Sequence, residues 1–194
     1  MSAEKIELIG TCVRLVPMEP EHREPLFLAG SHPEIWTYLP VRVQTQAQMD
    51  NLIAEALRCR DAGTEFPFVI IDLATRRVVG STRLMDIDHA NRSLEIGWTW
   101  HSPEVWRTRI NTECKYLLLR HCFETWGTIR VCLKTDARNE RSQRAIERIG
   151  GVREGVMRHH RILPDGYRRD SVYYSILEAE WPAVKARLEG FLRD

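Results

Sequence analysis

The chain has 194 residues, 43% of them apolar, with 28 Lys and Arg against 27 Asp and Glu for a formal net charge of +1. The length suits one domain or two very small ones, and the near-neutral balance leaves no global electrostatic footprint for nucleic acid. Five cysteines, scattered with no CxxC pair and no Cys/His cluster at metal-ligand spacing, point to a reduced, cytoplasmic setting with no metal.

MSAEKIELIG is too charged to read as a signal peptide, and no stretch approaches the ~18 apolar residues of a membrane span. CVRLVPM (12–18) alternates and predicts a strand; Pro20 opens a helical stretch that Gly30 closes. SHPEIWTYLP (31–40) is an aromatic-rich loop or short helix. Met49, Leu52, Ile53, Ala56 and Leu57 keep helical period between Gln44 and Ala62, and Gly63 ends that helix. FPFVIIDL, RRVVGSTRLMDI and SLEIGWTWH are consecutive strands, with turns at ATR and DHAN. The link HSPEVWRTRINTE leads into a long helix with Cys114, Leu117, Leu118, Cys122 and Phe123 on its apolar side, stopped by Gly127. Strand IRVCLK (129–134) and a helix after Asn139 follow. Two strands then flank the turn Pro164, Asp165, Gly166, and a terminal helix begins near Ala179. An antiparallel meander followed by a β-α-β crossover predicts one mixed α/β sheet.

The segment KTDARNERSQRAIERIGG (134–151) holds a local puzzle. Asn139 is a good N-cap, Ala145, Ile146 and Ile149 form an apolar stripe, and Gly150 and Gly151 stop the helix. Ser142 lies three before Ala145 and four before Ile146, so a polar side chain shares the stripe's side. It is either an ordinary polar residue near a helix start or, with Asn139, faces something polar beside the preceding strand.

The order of elements, the run EIGWTWHSPEVW with its long helix, KTDARNERSQRAIERIGG and the closing hairpin resemble the GNAT superfamily of acyl-CoA N-acyltransferases. LIGTCVRLVPMEPEH, NTECKYLLLRHCFE and LPDGYRRDSVYYSILEAEWPAVKARLE are similar to its RimJ/RimL-like branch, named for ribosomal-protein N-terminal acetyltransferases. The resemblance covers nearly the whole chain, most specifically residues 95–151. It implies a single domain over 1–194 with a mostly antiparallel sheet of about seven strands, splayed central strands and flanking helices. It implies acetyl-CoA as cosubstrate, no metal, and a primary amine as acceptor, either a peptide N-terminus or a small molecule. No membrane partner is implied, and a homodimer is compatible with it.

The resemblance places the splay between SLEIGWTWH and IRVCLK. The pantetheine arm would bond to the open edge at Trp98, Thr99 and Trp100, with Asn139 and Ser142 lining its other side. The pyrophosphate would sit at Arg107, Thr108, Arg109, Ile110, Asn111 and Thr112, where free N–H groups and the helix dipole favour an anion. The family's phosphate loop reads Gln/Arg-x-x-Gly-x-Gly/Ala, whereas this chain has no glycine between Gly97 and Gly127. One register puts Trp106, Arg109 and Asn111 at the marked positions; the other puts Arg107, Ile110 and Thr112 there. Arg107 or Arg109 could add charge-assisted bonds in place of close backbone approach, or both could simply be solvated.

Direct transfer needs a base, and Glu95 is the first candidate, ahead of Asp86 and His101; its alternative is a carboxylate satisfied by a sheet neighbour. Ser142, or Tyr173 or Tyr174 of the last strand, could protonate the thiolate, although such tyrosines are often core residues with a bonded hydroxyl. His159 and His160 alternate across a strand and cannot both line one site. Cys114 lacks a paired base. Arg158, Arg161, Arg168 and Arg169 around the last turn form either a solvated rim or a receptor for an acidic acceptor or for ribosomal RNA beside a protein substrate. Trp36 and Tyr38 either wall the acceptor pocket or belong to the core. A non-catalytic acyl-CoA-binding protein of the same fold is the alternative that the missing glycines favour.

Overall fold

In the computed structural model, which describes residues 6–193, apolar side chains leave both faces of one sheet and helices cover each. A two-residue strand β1 (Leu8–Ile9) pairs with β2 (Val13–Pro17). A 3-10 turn (Pro20–His22) leads into α1 (Arg23–Ala29), which Gly30 caps, and a second turn (Pro33–Trp36) lies in the aromatic loop. Helix α2 (Gln46–Asp61) starts at a reciprocal cap: Gln48 N–H donates to Thr45 Oγ1, and Thr45 N–H to Gln48 Oε1. Strands β3 (Phe66–Asp72), β4 (Val78–Asp88) and β5 (Ser93–His101) form the expected antiparallel meander. Helix α3 (Ile110–Arg120), extended by one π-turn (His121–Thr125), crosses to β6 (Arg130–Asp136). Helix α4 (Glu140–Arg148), the hairpin β7 (Val152–Ile162) and β8 (Arg168–Leu177), and α5 (Trp181–Arg193) complete the chain.

Among the described residues the sheet order is β1-β2-β3-β4-β5-β6-β8-β7, eight strands where about seven were expected. The addition is β1, too short for a pattern of alternation to reveal. Every neighbouring pair is antiparallel except β5 and β6, which run parallel after the α3 crossover.

Strand periodicity divides the core into two clusters. Phe68 and Ile70 of β3 join Leu117 and Leu118 of α3 and Leu188 of α5 on one side. Val69, between them, joins Leu26 of α1 and Ile53 of α2 on the other. A strand covered on both faces reads as a continuous apolar run, which is why FPFVIIDL shows no clean alternation. Trp36 belongs to the second cluster: it is 2% exposed, donates from Nε1 to Gly30 O at 2.8 Å and packs against Trp100 at 5.3 Å between ring centroids.

A carboxylate ties α3 to the first hairpin. Glu113, 3% exposed, accepts from the N–H groups of Thr11, Cys12 and Val13 at 2.7–2.8 Å and from Thr11 Oγ1 at 2.7 Å. A Cβ at position 10 would overlap this carboxylate, so Gly10 allows the approach. Burial pushes the Glu113 pKa up, but the bonds from Thr11 and Cys12 outweigh it and leave the group below the ordinary glutamate value. A depressed folded-state pKa contributes stability above the unfolded value, ~4.3, and loses it as pH falls through the folded value. Glu113→Ala strands the buried Val13 N–H and the part-buried N–H groups of Thr11 and Cys12, and a buried donor left unpaired costs ~1–3 kcal/mol. We expect it to lower unfolding free energy by roughly 3 kcal/mol at neutral pH, and Glu113→Gln to flatten the stability decline below about pH 4.3, both read from denaturant titrations across pH.

Candidate active site

The parallel ladder between β5 and β6 is short. Ser93, Leu94 and Glu95 pair with Arg130, Val131 and Cys132, and beyond Glu95 the two strands part. From there β5 keeps only its β4 neighbour, and one of its edges is open. The expected splay is therefore present, and Glu95 stands at its root. A cavity of about 390 Å³ opens in the gap, bounded by β5, β6, α4 and the start of α3.

A bulge shapes the open edge. Gly97 pairs with Arg83 and Trp100 with Ser81, so Trp98 and Thr99 together oppose Thr82. The extra residue is taken up at Trp98, whose φ of 49° lies in the left-handed region. Its ring lies under the Arg83 guanidinium at 4.6 Å, and Arg83 is held by Glu65 at 2.9 Å. Thr99 Oγ1 accepts from Lys115 Nζ at 2.8 Å and lies 2.8 Å from Thr82 Oγ1. Trp100 borders the cavity from the second core cluster.

Glu95 is 4% exposed, and Lys134 of β6 approaches its Oε2 at 2.8 Å. A Cβ on Gly97 would stand 2.8 Å from Glu95 Oε1 and 2.6 Å from Met85 Sδ, so the glycine leaves this carboxylate its room. Burial raises the Glu95 pKa and Lys134 partly restores it; the net shift is upward. Asp86 lies at the rim, 3.8 Å from Lys134 and largely exposed. His101 lines the cavity, but burial, reinforced by Lys115 and Arg141, brings its pKa down to about 3. It is a neutral imidazole and a poor base.

Asn139 and Ser142 both line the cavity wall opposite β5, together with Ala145, Ile146 and Ile149. Asn139 does cap α4, accepting from Ser142 N–H at 3.1 Å, while its amide nitrogen makes no bond among the described residues. Tyr174 is fully buried and bonds Glu147 Oε1 at 3.1 Å on the α4 side, with its pKa pushed up to about 12 by burial and that bond. Tyr173 meets His160 Nε2 at 3.4 Å. Neither tyrosine lines the cavity. Burial also pushes the Cys114 thiol up, so it is an inert core cysteine.

The link to α3 divides its residues. Arg107, Thr108, Asn111 and Thr112 line the cavity. Arg109 turns aside, donating to Leu192 O at 3.0 Å, and shares a neighbouring depression with Arg107, Thr108, Thr112 and Arg148. The Ile110 side chain is core, and its N–H donates to Thr108 Oγ1 at 3.3 Å. Helix α3 has no side-chain cap, and among the described residues the N–H groups of Asn111 and Thr112 have no protein acceptor. Arg107 adopts φ 63°, the left-handed conformation that glycine takes without strain, so a cationic side chain stands where the backbone favours none.

Sequence reasoning passed over Lys115. It is 7% exposed, lines the cavity floor from α3, and burial brings its pKa down to about 8. The available signal was a lysine three residues before Leu118, on the helix's buried side. Among the described residues no group of three or more His, Cys, Asp or Glu is placed to hold a metal ion, and no helix is long and apolar enough to cross a membrane.

Comparison with known proteins adds to this geometry. A family model described as an acetyltransferase (GNAT) domain matches residues 13–152. YdaF of Bacillus subtilis, named provisionally as a ribosomal N-acetyltransferase, is 35% identical over 106 residues; the match spans 55% of this chain and 57% of that protein's length. The fold resembles a GCN5-related N-acetyltransferase from Brucella melitensis with a TM-score of 0.90 and 31% identity, over 97% of this chain and 86% of that one. It also resembles a provisionally assigned acetyltransferase of T. thermophilus with a TM-score of 0.89 and 39% identity, over 99% and 100%.

The Glu95–Lys134 pair yields a test that needs no substrate. Removing the cation removes what lowers the carboxyl's pKa. In Lys134→Met the Glu95 titration, followed by carboxyl-labelled NMR, should move to higher pH than in the parent; an unmoved titration would show that the pair contributes nothing at this site.

Proposed function

The chain belongs to the GNAT acetyltransferase family, and on that premise we propose that it moves an acetyl group directly from acetyl-CoA to a primary amine, as a single domain. The observation that carries this reading is the parting of β5 and β6 at Glu95 over a cavity that runs to the uncapped start of α3. A long thioester arm needs an open strand edge for its amides and an anion site for its pyrophosphate, and both lie along this cavity.

Trp98, Thr99 and Trp100 would offer their backbone edge to the pantetheine arm, with Asn139 and Ser142 on the opposite wall. The N–H groups of Asn111 and Thr112 would take the pyrophosphate, helped by Arg107, while Arg109, held on Leu192 O in the neighbouring depression, would add charge from beside it. The cationic loop thus offers charge where the family pattern has glycine. Lys115 adds a buried positive charge beneath Thr99.

In the transfer, the amine nitrogen forms a bond to the acetyl carbon and the carbon–sulfur bond breaks. A backbone N–H at the bulge would polarise the carbonyl. Glu95, raised in pKa by burial and tethered by Lys134, would take the proton that the amine loses. The leaving thiolate would take a proton from Ser142 or from water at that wall. The acceptor is a peptide N-terminus or a small amine. YdaF's name supports the former, and no nucleic acid, metal or membrane enters this reading.

Calorimetric titration with acetyl-CoA, followed by thiol-release assays over amines and peptide N-termini, is the direct test. Micromolar binding with amine-dependent thiol release is expected; binding with no release on any amine would favour a non-catalytic acyl-CoA-binding protein. Glu95→Gln should lower kcat by about 10²–10⁴-fold and flatten the acidic limb of the pH–rate profile, with acetyl-CoA affinity unchanged. Arg107→Ala with Arg109→Ala should instead weaken acetyl-CoA binding at least tenfold, about 1.4 kcal/mol.

A further inference from the structure

At the hairpin end of the cavity two arginines stand directly opposite each other. Arg161 of β7 pairs with Arg169 of β8, and both line the cavity. Side chains opposite each other across an antiparallel ladder share a face, and like charges there repel. The hairpin is bulged to produce this pairing: the register shifts between Met157 and Arg161, with His159 at φ 49°. Bulges re-aim side chains.

Arg169 is 6% exposed. It donates from Nη1 to Tyr38 O at 3.2 Å, and its buried Nε has no partner among the described residues. The Arg161 side chain has no hydrogen bond or ion pair among the described residues. Three nearby carboxylates are committed elsewhere. Asp136 is held by Arg138 through bonds of 2.9 and 3.1 Å, Glu95 by Lys134 at 2.8 Å, and Asp165 by Arg42 at 3.5 Å. Burial lowers the Arg169 pKa and Arg161 adds to that effect, though a guanidinium stays charged throughout the physiological range. A buried cation with an orphaned donor, facing a second cation, is an arrangement that an anion would complete.

We propose that Arg161 and Arg169 form the acceptor-specificity site, and that the amine acetylated here carries a carboxylate which this pair binds. This rests on the amine-acetylation reading and names its substrate class. The cavity joins Glu95 to the arginine pair, so one molecule could present its amine to the first and its carboxylate to the second. That carboxylate could be the α-carboxylate of a free amino acid or the side chain of an acidic residue near a peptide N-terminus.

Two matched pairs of probes distinguish these sources: alanine against alaninamide, and alanyl-aspartyl-amide against alanyl-asparaginyl-amide. Calorimetry with the full chain, with and without coenzyme A, should show the carboxylate member of one pair binding at least tenfold more tightly than its amide. Arg161→Gln and Arg169→Gln should each erase that preference and leave acetyl-CoA affinity unchanged. Arg169→Gln also loses the bond to Tyr38 and could fail to fold; exposed, unpartnered Arg161 carries the test alone. Equal binding of carboxylate and amide in both pairs, or a preference that survives Arg161→Gln, would overturn the proposal. Thiol release with the same probes separates the two readings. Discrimination without release leaves the anion site standing and removes the acetyl-transfer reading. Release without discrimination does the reverse.

Discussion

The structure depends on where two parallel strands stop pairing. β5 and β6 share three residue pairs and then diverge, although each continues for several residues. An abandoned ladder leaves backbone donors and acceptors that need water, side chains or a ligand. A long continuous sheet would have closed this edge. Here the gap becomes a cavity whose walls are β5 on one side and β6 with α4 on the other, and Glu95, Trp98, Thr99, Asn139 and Ser142 face each other across that parting.

Several local features accompany it. The bulge places Trp98 and Thr99 together opposite Thr82, and Thr99 Oγ1 accepts from Lys115. Trp98 and Arg107 hold left-handed conformations on either side of the same cavity. Such conformations cost of order 1–3 kcal/mol and persist only where surrounding contacts enforce them. The Arg83 stack on Trp98 is one such contact. Gly97 leaves space for the Glu95 carboxyl where any side chain would intrude.

The buried charges divide into settled and unsettled groups. Glu113 is fully bonded and joins α3 to the β1–β2 hairpin, outside the cavity lining. Glu95 is paired yet keeps a raised pKa, because a single lysine does not offset its loss of solvent. Lys115 and Arg169 are more weakly satisfied: one has a single hydroxyl acceptor, the other a single carbonyl and an orphaned Nε. Arg83, outside the cavity lining, also has an orphaned Nε despite its bond to Glu65; buried ionisable groups are costly unless bonded, and those left incompletely satisfied at a cavity, as Lys115 and Arg169 are, point to function. Both line the gap.

Local chemistry sufficed for most elements. Thr45 with Gln48, Asn139, and the glycines at 30, 127, 150 and 166 mark their boundaries through caps and turns that depend on a few neighbouring residues. The side of α4 carrying Ser142 was legible from its spacing to Ala145 and Ile146. The two-residue β1 was not legible, because a pair of residues has no periodicity. Tyr174 and Trp36 could have been site or core, and burial against α4 and α2 put them in the core. Lys134 beside Glu95, Lys115 beneath Thr99 and Arg161 opposite Arg169 join residues on different elements, through strand register and helix docking that no local pattern encodes. The sequence by itself determined the elements, their order and the family resemblance, since these follow from short-range propensity and motif. Only the tertiary structure decided which charges meet, because a one-residue change in register would send each strand side chain among them to the opposite face, and the docking of α3 alone sets Lys115 beneath Thr99.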